Sequence, residues 1–273
     1  MSLVINTNIM SIDAQRNLQN TGNDLRVAME RLSSGLRVNS AKDDAAGYAI
    51  ASNMTAQING LGQAVRNTNN ANSMVQTMMG AMNQIQDALQ RMNELAVEAA
   101  DGSSANNLTS LNDEFGALKN EIDTIANQTK FNGTSVLNGS TAITFQIGYE
   151  DSVNDQLAIN TVGVTSGALG LSSSIDLLSQ TDAQTAISTV QAALNTLSLD
   201  QGTLGAASNR LDTQVANLQN VSENTSSARS QIVDADFAAE TAEMTKDTVL
   251  QQAGISVLAQ ANSQPQMVLK LLQ

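Results

Sequence analysis

With 26 acidic against 13 basic residues, this 273-residue chain carries a formal net charge of -13, which excludes binding that relies on Lys and Arg to neutralise phosphates. No nucleic-acid partner and no anionic membrane partner is therefore expected. There is no Cys, no His and no Trp, so disulfides, thiolate nucleophiles, His/Cys zinc sites and the usual neutral-pH acid–base residue are all missing; no catalytic residue, metal or cofactor is expected.

The amino end, Met1-Ser-Leu-Val-Ile-Asn6, lacks a basic region followed by a continuous apolar stretch. Any export is expected to use a route without a cleaved signal of that kind, and no window approaches a membrane span. Leu18, Leu25 and Leu32 stand seven apart with Ala14 and Ala28 beside them, predicting an amphipathic helix over about Ile9 to Leu32 that stops at Ser33-Ser34-Gly35. Ser40 followed by Asp43 resembles a capping box and predicts the start of the next helix, with Asp43 and Asp44 in its first turn.

From Ile50 the seven-residue repeat runs through Met54, Gln57, Leu61, Ala64, Thr68, Ala71, Val75, Met78, Met82, Ile85, Leu89, Met92, Ala96 and Ala99. This predicts one helix to about Ala100, roughly 90 Å long at 1.5 Å per residue, with a turn at residues 101–106. Leu108, Leu111, Phe115, Leu118, Ile122 and Ile125 predict a shorter helix folding back antiparallel. After Gly133 the period changes to two. Ile143, Phe145, Ile147 and Tyr149, then Leu157, Ile159, Val162 and Val164, predict a small β-hairpin, followed by a Gly/Ser-rich connection from Gly163 to Ser174.

Asp182 is expected to cap a second long helix, whose repeat runs through Ile187, Val190, Leu194, Leu197, Gln201, Leu204, Ser208, Leu211, Val215, Leu218, Ser222 and Thr225 and, with Arg229, reaches Ile232. The last segment, Asp234 to Gln273, places Leu250, Ala253, Val257, Leu258 and Ala261 on one face, with Pro265 expected to bend or interrupt it. The expected fold is mainly α: a long antiparallel coiled-coil helical bundle over residues 41–234 with a β-hairpin region at about 133–180. The terminal segments, 1–40 and 235–273, form a second coiled coil.

Leu18, Leu25 and Leu32, with Leu250, Val257, Leu258 and Ala261, are read as assembly residues. Their stripes hold few large side chains and bury too little apolar surface to offset backbone ordering alone, so they are expected to order only against other copies.

Other candidate features have plainer readings. Met74, Met78, Met79 and Met82 could suggest a soft-metal site, but Met78 and Met82 sit in the seam and fill a core. Asp151-Ser-Val-Asn-Asp155 lacks the Gly and distal Glu of a calcium loop and reads as a hairpin turn. Gly167 and Gly170 do not open a phosphate loop.

Val4-Ile-Asn-Thr-Asn8, Arg31-Leu-Ser-Ser-Gly-Leu-Arg-Val-Asn39, Ser40-Ala-Lys-Asp-Asp-Ala-Ala-Gly-Tyr-Ala-Ile50 and Leu250-Gln-Gln-Ala-Gly-Ile-Ser-Val-Leu-Ala-Gln-Ala-Asn262 closely resemble bacterial flagellin. The resemblance covers both ends through the long helices. It implies a secreted structural subunit without enzymatic activity that polymerises into the extracellular filament of the bacterial flagellum for motility. The terminal segments then form an inner tube and the long helices the next shell. The middle is too short for the variable outer domain found in many family members.

The implied partners are further copies of the chain, a flagellar export chaperone, the cap and hook-junction proteins and, in a host, the Toll-like receptor for flagellin. The implied route is type III export as a largely unfolded chain. Gln90, Arg91, Glu94, Leu95, Leu111 and Glu114 resemble the receptor-recognised surface, from which Asn93 departs by replacing a basic residue. The alternative reading is a hook–filament junction protein of the same architecture. An enzyme of the kind inserted in some flagellins is the other rival, and the absence of His removes its zinc motif.

Overall fold

Helix α1, Ile9–Ser34, begins where the Asn8 side chain accepts a hydrogen bond from the Ser11 amide, and ends at Gly35, whose φ of 72° suits the left-handed residue after a helix. The computed structural model describes residues 7–102, 107–172 and 174–271, with side chains as far as residue 264. Residues 103–106 of the expected turn and the first six residues lie outside it.

The long helices are α2, Ala45–Ala100, and α4, Gln180–Val233; α3, Leu108–Gln128, is the shorter helix between them, and α5, Phe237–Leu271, closes the chain. Their starts correct two expectations. Ser40 to Asp43 forms a separate turn before α2, and Asp44 caps the helix by accepting from the Gly47 amide at 2.9 Å. At α4 the capping residue is Ser179, whose hydroxyl accepts from the Asp182 amide at 3.1 Å while it donates to the Asp182 carboxylate. Asp182 thus does not cap the helix itself but accepts from the hydroxyl of the residue that does. Helix α5 is also assigned through Pro265 to Leu271, so the proline does not interrupt it: one missing amide removes one ladder bond and leaves the flanking turns intact.

Two antiparallel hairpins follow α3. In the first, β1 (Lys130–Phe131) pairs with β2 (Thr134–Ser135) around Asn132 (φ 49°) and Gly133 (φ 82°). The second is the expected hairpin, β3 (Ala142–Gln146) on β4 (Gln156–Asn160), in the register Ile143 with Ile159 and Phe145 with Leu157.

The described chain forms two compact units, one of Met1–Ala56 with Asn224–Gln273 and one of Gln57–Glu223. In the central unit, the α2 repeat is buried from Leu61 to Ala99, Thr68 included, and packs with Leu111, Phe115 and Ile122 of α3 and Val190, Leu197, Leu204 and Leu211 of α4. The hydroxyl of Thr68 is satisfied by the Ala64 carbonyl at 2.8 Å, so a polar residue in the seam leaves no orphan donor. Ile50 departs from the expected seam: it is exposed, and Ala51 turns inward instead against Val38 and Val233.

In the terminal unit the connections on either side of the long helices pair with each other. The Arg37 amide donates to Val233 O at 2.7 Å and the Ala235 amide to Gly35 O at 2.9 Å. Helices α1 and α5 then pack side by side and antiparallel, with Asn8 against Ala261 at one end and Arg31 against Glu240 at the other.

Candidate functional site

The α1–α5 pair is the first candidate. Its seam follows a seven-residue repeat on both helices: Ser11, Ala14, Leu18, Thr21, Leu25, Ala28 and Leu32 on α1 are buried or half-buried, as are Glu240, Met244, Asp247, Gln251, Gly254, Leu258 and Ala261 on α5. Small residues let the helices approach: a Cβ on Gly254 would lie 3.3 Å from Leu18 Cδ1. Polar bonds hold the ends. Asn8 Nδ2 donates to Ala261 O at 2.7 Å, the Ser11 hydroxyl donates to Asn262 Oδ1 at 2.8 Å, and Arg31 pairs with Glu240 at 3.0 Å.

This pairing corrects the expectation that both terminal stripes lack partners in a single chain. Leu25 and Ala261 are buried between the helices, and Leu18, Leu32 and Leu258 are half-buried. The physical reason is that α1 and α5 present matching repeats to each other. Leu250 and Val257, by contrast, stay exposed, because they lie on the face of α5 turned away from the seam. Ile9 (61% exposed), Met10, Ile12 and Met29 of α1 and Phe237, Val249 and Ile255 of α5 are exposed as well. More than half of the exposed large apolar side chains among the described residues thus lie on these two helices, away from their mutual seam.

The second candidate lies on α2 and α3. Arg91 donates through Nε to Glu114 Oε1 at 2.9 Å and through Nη1 to Glu94 Oε2 at 3.0 Å, and its Nη2 stands 2.9 Å from the same Glu114 oxygen. Glu94, and after it Glu114, raise the Arg91 pKa by hydrogen bonding to the charged guanidinium. Gln90, Arg91, Glu94 and Glu114 are exposed together. Leu95 (0% exposed) and Leu111 are not: both belong to the core beneath the cluster, which corrects their expected place on the surface. They fix the helices that carry the charged groups.

At the hairpin turn, Asp155 Oδ2 accepts from the Glu150 amide at 3.1 Å and Ser152 Oγ from the Asn154 amide at 3.3 Å, which accounts for these oxygen groups as turn ligands. Met74, Met78 and Met82 lie fully in the core. Among the described residues no helix is long and apolar enough to cross a membrane. The terminal polar clasp is no part of the apolar repeats; the short polar residues Asn8, Ser11 and Asn262, in line with those repeats, are its signal in the sequence.

Residues 5–142 match the family described as the bacterial flagellin N-terminal helical region, and residues 187–272 match the bacterial flagellin C-terminal helical region. A flagellin of Halalkalibacterium halodurans is 40% identical over 273 residues, covering 99% of this chain and 100% of that protein. A flagellin of Xenorhabdus nematophila is 44% identical over 320 residues, covering 100% of each. Among solved structures, a putative flagellar hook-associated protein from Vibrio parahaemolyticus superposes with a TM-score of 0.60 at 11% identity, over 70% of this chain and 100% of that one, and so shares the fold.

Proposed function

The chain belongs to the bacterial flagellin family, a family of structural filament proteins, and from that premise we propose that it is the repeating subunit of a flagellar filament, assembled through α1 and α5. The observation that carries this reading is the apolar surface left over after α1 and α5 have paired: Ile9, Ile12, Val249, Leu250, Ile255 and Val257 are exposed on helices whose mutual seam is already filled. A second copy covers them, and because the contact is head-to-tail and does not close, it propagates a helical polymer. Terminal segments 1–40 and 235–273 carry these contacts, and residues 41–234 form the bundle with its hairpin region. No catalytic role is assigned to any residue.

On this reading the chain leaves the cell largely unfolded by the flagellar type III route with an export chaperone, and meets the cap and hook-junction proteins during assembly. Deleting Asp234 to Gln273 should leave a soluble, partly helical monomer that forms no filaments under the electron microscope; filaments from it would refute the assembly surface. A full-length chain that reaches the medium without the flagellar export apparatus would refute the route. Full-length protein that never forms long filaments would favour a hook–filament junction role.

The exposed cluster of Gln90, Arg91, Glu94 and Glu114 supports a secondary role as the surface recognised by the host Toll-like receptor for flagellin. Arg91→Ala should lower receptor signalling several-fold while filaments persist. Unchanged signalling would remove the recognition role and leave packing between subunits.

A further inference from the structure

Asp247 occupies the α5 seam position between Met244 and Gln251, and it is 3% exposed. Its Oδ2 is buried without a hydrogen-bond partner. The adjacent cation does not answer it: Lys246 Nζ is bonded to Glu243 Oε1 at 2.7 Å, on the exposed side of α5. Both ends of the α1–α5 pair carry polar cross-links, although Arg31 Nε at one of them is also buried without a partner; the carboxylate oxygen of Asp247 deep in the middle of the seam is likewise unsatisfied.

A buried charge lacking part of its hydrogen bonding is destabilising, and an apolar or neutral group of similar volume at such a place usually strengthens the packing. A single polar residue in a coiled-coil seam can also set partner choice at a cost in stability. We propose that Asp247 is a specificity-determining residue of the terminal pair: its buried carboxylate holds the intrachain α1–α5 pairing weak, so that the pair stays open to exchange until neighbouring copies cover both helices. The first half concerns the single chain alone. The second rests on the filament reading, and it makes the occupant a second copy of this chain.

The test compares the full-length monomer with Asp247→Asn, which keeps the shape and a similar helix propensity and removes the charge. Hydrogen exchange followed by mass spectrometry should be about tenfold slower across residues 9–34 and 237–264 in the variant, with residues 71–99 unchanged as the sign that the central unit is folded. Equal or faster exchange in the terminal helices overturns the proposal. The further slowing of exchange in the same segments on incorporation onto sheared native filament seeds should then be several-fold smaller for the variant, because its pair is already tight in the single chain. An equal further slowing in both proteins overturns the assembly half. If native chains fail to grow on seeds, the filament reading itself falls, and the exchange result still decides what Asp247 does within one chain.

Discussion

Asp43 accepts hydrogen bonds from the Asn39 amide at 3.2 Å, the Ser40 amide at 2.9 Å and the Ser40 hydroxyl at 3.0 Å. The Ser40 amide first, and then its hydroxyl, hold the carboxyl below its ordinary value of 3.8. A depressed folded-state pKa means that the turn gains stability above pH 3.8, and that this gain is lost as the pH falls through the lower folded value. An NMR titration of the Asp43 side chain should therefore give a midpoint below 3.8, and Ser40→Ala should move it upward. A midpoint at or above the ordinary value would remove the turn's acid clasp. The partnership of Ser40 with Asp43 was legible in the sequence; that it closes a free-standing turn was not, because Asp44 can cap the helix equally well. Leu95 shows a similar limit. It lies beside the Met92–Ala96 seam, and only the packing of α3 against α2 gives it a second wall and buries it.

At the scale of elements, the second hairpin is held against the long helices by its end. Asn67 Nδ2 donates to Gln146 O at 3.0 Å, Gln214 Nε2 donates to Ile147 O at 3.3 Å, and Tyr149 lies over Gly60 of α2. A Cβ on Gly60 would stand 2.9 Å from Tyr149 Cβ and 3.8 Å from its Cα, so the close approach involves the root of the side chain and not its mobile tip. Alanine ordinarily strengthens a helix interior by up to about 1 kcal/mol over glycine. Here the displacement of Tyr149 should win, at a cost of about 1–3 kcal/mol for overpacking. Gly60→Ala is expected to lower Tm and to speed hydrogen exchange at residues 146–150; a raised Tm with unchanged exchange would show that the hairpin end adapts freely.

The α2 and α4 repeats were legible because an uninterrupted 3-4 spacing over so many turns has one structural meaning. The first hairpin is not legible although Asn132-Gly133 is a strong two-residue turn signal, because strands of two residues leave no period to detect. The fate of Leu250 and Val257 was not legible either. The apolar face of α5 and the face that meets α1 differ, and polar or small residues, Gln251, Gly254 and Asp247 among them, occupy the seam.

For the whole molecule, the expected survival of the chain cut at Asp234 follows from where the cores lie. The main core, from Ala71 to Leu211, and the smaller cluster of Leu61, Ala64 and Leu218 draw on residues 57–223 alone. The terminal unit has a different connectivity. Asn8 meets Ala261 across 253 positions of sequence, Ser11 meets Asn262 across 251 and Arg31 meets Glu240 across 209. Such contacts close the largest loops in the chain, and loop closure of that length comes slowly and late. The two units therefore answer to different clocks. A chain emerging from an export channel can complete Gln57–Glu223 before its trailing residues arrive, but the α1–α5 pair needs both ends and has to wait for the trailing one, whichever end leads. The part of the molecule that meets its neighbours is thus the part that each copy must finish last.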